Sequence, residues 1–189
     1  MNRLSLRNFV SPAALACFLL TTVIGLGLDQ WSKVVAFSKL SDGVITLPDG
    51  HVEPLDRRTV VFIPGWLQFD VTANQGAVFG IGQGKRTLFV IVSVAAILFI
   101  GYLFASSGRQ HLYQIILGML LAGVLGNLYD RVQFGYVRDM IHALPNWPNA
   151  FPWIFNVADS LLCVGVFLMV VYSIFQRPEK IPGDAPVAA

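Results

Sequence analysis

Charge is scarce in this chain. Only 13% of its 189 residues are Asp, Glu, Lys or Arg, and residues 88–104, 112–125 and 161–175 carry no charge at all. With 55% hydrophobic residues and a mean hydropathy of +0.64, that scarcity excludes an ordinary water-soluble domain and places the chain in a bilayer. The formal charge is +2 and the basic residues never cluster densely, which argues against a nucleic-acid footprint. Cysteine is nearly absent. Cys17 and Cys163 both lie inside apolar runs, which argues against a disulfide framework and suits small packing residues. Three histidines without ligand-type spacing argue against a zinc site.

What the chain does have is apolar runs of spanning length. Residues 9–28, 88–104, 112–128 and 157–175 each approach the roughly twenty residues that cross a bilayer. The expected fold is therefore a membrane α-helical, four-transmembrane-helix bundle. A cleaved signal peptide is the competing reading of the first run, but the run is long for that role and no small-x-small cleavage site follows it. Asp29 lies four residues before Lys33, so the first helix is expected to continue through this pair, with Trp31 at the headgroups. The plain reading of Asp29 and Lys33 is an interfacial ion pair. In the third run Gly118, Ala122 and Gly126 recur every four residues, a face suited to close helix contact. An even number of spans puts both termini on one side, and Arg3, Arg7, Arg109, Arg177 and Lys180 mark it as cytoplasmic. Residues 34–86 and 129–155 then face outward, and residues 178–189, interrupted by prolines, form a disordered tail.

The first outer segment mixes acids and bases with β-branched runs. Pro48-Asp49-Gly50 is turn chemistry, so residues 44–52 are expected to form a hairpin. Thr59 to Ile63 is a second extended run, and the alternating Trp66 to Val71 reads as a half-buried strand. A small extracytoplasmic β-sheet on the membrane surface follows. Asn74-Gln75-Gly76-Ala77-Val78-Phe79-Gly80 combines small residues with amides that donate and accept hydrogen bonds. It could hold an extended peptide, or be no more than a turn into the second helix.

Three aspartates, Asp130, Asp139 and Asp159, lie against these apolar runs, where an unpartnered carboxylate costs several kcal/mol. Asn127, Asp130 and Arg131 stand at i, i+3 and i+4, and Asn156 and Asp159 at i and i+3. Each set therefore shares a helical face at the outer boundary, with Asp139 arriving on the connecting segment. Two carboxylates brought together there would retain one proton between them. Such a pair can activate a water with its charged member and polarise a carbonyl with its neutral one, the chemistry of aspartyl peptide hydrolysis. A hard cation such as magnesium is the chemical competitor. Spacing does not fix which two form the pair; chemistry alone ranks Asp159 first and leaves Asp130 and Asp139 nearly tied, Asp130 standing next to Arg131 as a candidate charge partner. For any one of them a helix cap or ion pair is the plain alternative.

Together Asp29-Gln30-Trp31-Ser32-Lys33, Asn74 to Gly80, Gly126-Asn127-Leu128-Tyr129-Asp130-Arg131, Val137-Arg138-Asp139 and Phe155-Asn156-Val157-Ala158-Asp159 resemble the motifs of the bacterial lipoprotein signal peptidases, or signal peptidase II. The resemblance implies an aspartic endopeptidase of the inner membrane, its site near the outer leaflet. It would remove signal peptides from prolipoproteins before a diacylglyceryl-modified cysteine, as a monomer without metal or cofactor. It places the dyad on Asp139 and Asp159. Asn74, Gly76, Asn127, Arg131 and Asn156 match substrate-holding or supporting positions, and Asp29, Lys33 and Asp130 match further motif positions. The chain departs from the family in a segment at residues 41–58 that looks inserted, in Arg138 where an apolar residue is more usual, and in a slightly longer dyad spacing across Pro145 to Trp153. The contrasting reading is a non-enzymatic membrane transport or assembly subunit, but a transport pathway would place acids mid-helix, where this chain has none. Deleting residues 44–52 is expected to impair substrate capture more than chemistry; cleavage kinetics showing lost turnover with intact binding would contradict this.

Overall fold

The computed structural model describes residues 11–76, 85–108, 110–147, 149 and 153–175. Four of its helices are long and apolar enough to cross a membrane: α1 (Pro12–Leu40), α2 (Arg86–Ala105), α3 (His111–Gln133) and α4 (Val157–Phe175). Helix α3 packs against the other three. Its glycines explain how closely. A Cβ added at Gly118 would stand 2.7 Å from the Phe18 carbonyl oxygen, and one at Gly25 would stand 2.8 Å from Ala122 Cβ. Gly126 in turn abuts the Asp29 carboxylate. The four-residue repeat of small side chains is therefore a close helix contact, as expected, and its partner is α1. Gly123 serves α4 in the same way, 2.6 Å from the Ala158 carbonyl oxygen by the same measure. Large apolar side chains point outward on the far faces, among them Val23, Leu98, Phe167 and Ile174 at 66–71% exposure. Lipid, rather than protein, covers such a surface.

Helix α1 runs through Lys33 as expected and then continues to Leu40, seven residues further. At 1.5 Å per residue it reaches roughly 43 Å, more than the hydrocarbon thickness of a bilayer. Tertiary packing sustains the extension: Leu40, Ala36 and Phe37 join Val71 and Met140 in a core beneath the sheet. A separate core around Phe18, Ile100 and Leu117 holds the helices together.

Outside the helices, β1 (Val44–Thr46) and β2 (Val52–Pro54) form the expected hairpin, with Thr46 opposite Val52. Strands β3 (Val60–Ile63), β4 (Leu67–Asn74), β5 (Val137–Ala143) and β6 (Ile154–Phe155) form an antiparallel sheet in that order. Strand β5 was expected only as a connecting segment. Val137, Arg138, Asp139 and Met140 are all buried, so the strand lacks the in-out alternation that reveals most strands. A register shift between Phe69 and Thr72 on β4 sets Thr72 opposite Asp139 and Asn74 opposite Val137. That makes Asn74 and Asp139 diagonal neighbours across the pair. Arg3, Arg7, Arg109, Arg177 and Lys180, on which the expected orientation rests, lie outside the described residues, as do residues 77–84 and the tail.

Replacing Gly123 by Ala is expected to destabilise the fold by about 1–3 kcal/mol, because backbone must shift to admit the methyl group. Gly101→Ala, with nothing within 4 Å, is expected to be neutral or stabilising by up to about 1 kcal/mol. Thermal unfolding in detergent micelles distinguishes the two.

Candidate active site

The first turn of α4 explains why Asp159 sits where it does. Asn156 precedes the helix and accepts the Asp159 N–H through Oδ1 at 2.9 Å, while Asp159 Oδ2 accepts the Asn156 N–H at 3.2 Å. This is a reciprocal capping box with an aspartate in the third helical position. A further N–H of this turn, that of Ala158, donates to Asp29 Oδ1 at 2.9 Å. The plain reading of Asp159 as a helix cap is thus true, but it uses only one carboxylate oxygen. The other, Oδ1, accepts the Asn127 amide from α3 at 2.8 Å.

Asp139 reaches the same place from β5. Its Oδ1 accepts the Asn156 amide at 2.6 Å and its Oδ2 the Asn74 amide at 2.9 Å. Asn156 therefore holds both carboxylates, and all four of their oxygens accept an N–H. Asp139 is 1% exposed and Asp159 5%. Burial, reinforced by the charge of Asp159, pushes the Asp139 carboxyl up to about 8, against the amide hydrogen bonds from Asn74 and Asn156 and the charge of Lys33, which favour its ionised form.

Around this pair lies a buried charge network. Lys33 Nζ stands 2.8 Å from Asp29, 3.2 Å from Asp130 and 3.2 Å from Asn127 Oδ1. By occupying the oxygen of the Asn127 amide, together with Asn156 Nδ2 at 3.1 Å, it turns the amide's donor end toward Asp159. Asp130 does not pair with Arg131. It accepts the guanidinium of Arg138 at 2.8 Å and that residue's backbone N–H at 3.0 Å, so it fastens β5 to the end of α3 next to Asp139. Arg138 also donates to Gln30 Oε1 at 2.8 Å. Arg131 instead donates to the Gly76 carbonyl at 2.9 Å and lies over the Phe89 ring.

Every candidate residue is accordingly drawn into one cluster, with Gln30 and Arg138 added. In the sequence both lie inside the family-like motifs, Arg138 as a departure from the family pattern and Gln30 with no role assigned to it. Asp29 and Lys33 are fully buried, more than the surface ion pair of the plain reading, while Trp31 beside them is 65% exposed. Among the described residues no three His, Cys, Asp or Glu side chains converge as a metal-ligand group; the two acids meet amide donors instead. A cleft of about 190 Å³ between α2, α3 and α4 reaches Asp159, with Phe89, Val92, Asn127, Arg131 and Leu162 in its walls. A larger groove of about 340 Å³ between the end of α1 and the sheet is lined by Trp31, Val35, Phe69 and Met140 and has no carboxylate in its lining.

The family model described as signal peptidase (SPase) II matches residues 21–175. The chain belongs to the signal peptidase II family. A lipoprotein signal peptidase of Enterococcus faecalis is 35% identical over 86% of this chain and 91% of its own length. One from Lactobacillus johnsonii is 33% identical over 88% and 97%. Two solved bacterial membrane enzymes, determined by the in meso method at 2.3 and 1.9 Å resolution, share the fold. Their TM-scores are 0.71 and 0.68 at 27% and 28% identity, covering 86% and 84% of this chain and 93% and 92% of theirs. In this member of the family the buried ions are so closely coupled that loss of one strands another. Lys33→Met is expected to destabilise the protein by about 3–5 kcal/mol, and Lys33→Met combined with Asp29→Asn to recover most of that loss in thermal unfolding.

Proposed function

We propose that this chain is an aspartic endopeptidase that cuts prolipoproteins just before a diacylglyceryl-modified cysteine, with Asp139 and Asp159 as its catalytic dyad. The observation that carries the proposal is the shared clamp: two buried carboxylates held by one asparagine, in a setting that makes full ionisation of both costly. Family membership supports the substrate, and the names of the relatives agree with it. The termini are cytoplasmic and the dyad lies near the outer leaflet of the inner membrane, which suits a signal peptide already inserted in lipid. The protein acts as a monomer, and Asn74, Gly76 and Arg131 hold the peptide backbone beside the dyad.

In this reading the charged aspartate takes a proton from water as the oxygen adds to the scissile carbonyl carbon, and the neutral aspartate gives its proton to the carbonyl oxygen. A tetrahedral diol results. Its collapse breaks the C–N bond, a dyad proton passes to the departing nitrogen, and the products are a carboxyl terminus on the signal peptide and a free amine on the lipidated cysteine. Asn127 and Asn156 hold the two carboxylates without adding charge, so retaining one proton on the pair stays cheaper than ionising both.

Asp139→Asn and Asp159→Asn are each expected to abolish processing of a diacylglyceryl-modified prolipoprotein, followed by gel mobility, while leaving the protein folded. Normal processing by Asp139→Asn would remove the dyad, and by both would remove the enzyme. The alkaline limb follows from the Asp139 carboxyl near 8: kcat/KM should fall as pH rises through about that value, because the acid form is lost. Asn74→Ala removes a hydrogen bond that favours the ionised form, so it should move that limb to higher pH. Because the folded state keeps a proton that the unfolded chain releases above 3.8, stability contributed by Asp139 should also decline across that interval.

A further inference from the structure

The corner Asn74-Gln75-Gly76 is held by three separate partners. Asn74 donates to Asp139 at 2.9 Å and accepts the Gly76 N–H at 2.9 Å, and the Gly76 carbonyl accepts Arg131 at 2.9 Å. Gln75, between them, engages the β1–β2 hairpin instead. Its Oε1 accepts the Val52 N–H at 3.1 Å and its Nε2 donates to the Gly50 carbonyl at 3.0 Å. One primary amide thus supplies the donor and acceptor that a neighbouring strand would offer. The other end of the hairpin is tied elsewhere: Arg58 places one guanidinium nitrogen 2.6 and 2.7 Å from the two Asp42 carboxylate oxygens, and its backbone N–H donates to the Leu40 carbonyl at the end of α1 at 2.9 Å.

We propose that Gln75 is a positioning residue through which this hairpin holds the Asn74–Gly76 corner in the shape that receives the substrate backbone, and so sets the strength of substrate capture. The proposal rests on the reading of that corner as part of the peptide-binding site. It separates capture from chemistry for a structural reason. The bonds from Asn156 and Asn127 to the two carboxylates do not pass through Gln75, whereas the backbone between Asn74 and Gly76 does. Asn74, the corner's own link to Asp139, is held independently in β4 opposite Val137, so loosening the latch leaves the dyad assembled and frees the turn to Gly76, which each encounter with substrate must order again. The segment that looked like an insertion becomes an outer brace for the binding loop.

The test uses the full chain in detergent with a synthetic diacylglyceryl-modified peptide spanning the cleavage site. Gln75→Ala cuts the latch from the loop and Val52→Pro removes the donated N–H from the hairpin. Each is expected to raise KM about threefold to tenfold, the size of one or two partly exposed hydrogen bonds, with kcat changed by less than about twofold on the same basis. Because both break one contact, the double variant should be little worse than Gln75→Ala alone. Gln75→Glu keeps the acceptor for Val52 and loses the donor, so its KM should fall between the unaltered protein and Gln75→Ala. An unchanged KM in Gln75→Ala, a fall in kcat at constant KM, or single effects that multiply in the double variant would each overturn the latch. Binding of the lipopeptide without cleavage by the unaltered protein would sink the peptidase reading alone, and Kd would then replace KM in deciding about Gln75.

Discussion

Lys33 is the tie on which the arrangement depends. Fully buried beside a lipid-facing surface, it is bound by Asp29 one helical turn away and by Asp130 from a second helix, and neither acid is free to leave without stranding it. Asp29 in turn caps α4 through the Ala158 N–H, and Asp130 holds the strand that carries Asp139 through Arg138. Four elements are thereby joined by two cations and two anions with no net charge. Such a set is costly to desolvate and strongly destabilised when broken. Its value lies in fixing one geometry among several that apolar packing alone would allow.

Inside that frame the polar work passes to asparagines. Asn74, Asn127 and Asn156 are neutral, so they orient carboxylates without fully neutralising them, and each has both a donor and an acceptor to commit. Lys33 occupies the oxygen of Asn127 and turns its nitrogen to Asp159; the Gly76 N–H occupies the oxygen of Asn74 and leaves its nitrogen for Asp139. Asn156 spends its oxygen on the helix it caps and its nitrogen on Asp139. A lysine or arginine in any of these places would add a charge that favours ionisation of both acids.

Much of this was legible because it is local. The stripe Gly118, Ala122 and Gly126 announced a close helix contact, since a repeat of four stays on one helical face in any helix, and the structure supplied α1 as its partner. The pair Asn156 and Asp159 announced a helix start, and Pro48-Asp49-Gly50 a hairpin. The length of α1 was hidden, because its last turns are held by Val71 and Met140, residues remote in the chain. Strand β5 was hidden because Arg138 and Asp139, which read as surface residues by type, are both buried. Asp130 and Arg131, adjacent in sequence, looked like partners and are not: successive residues on a helix point in different directions, and each found its partner on another element.

Composition and spacing by themselves determined the four helices of membrane-spanning length, the β1–β2 hairpin and the placing of the acids beside the ends of the apolar runs. Each of those depends on the free energy of a short run of residues in water or in lipid, whatever the rest of the chain does. Which acid meets which could be decided only by the tertiary structure. The one-residue shift in β4 pairing sets Asn74 diagonally across from Asp139, and the packing of α3 against α4 brings Asn127 and Asn156 together. Such pairings depend on segments far apart in the chain packing at once, and no local pattern encodes which residues meet.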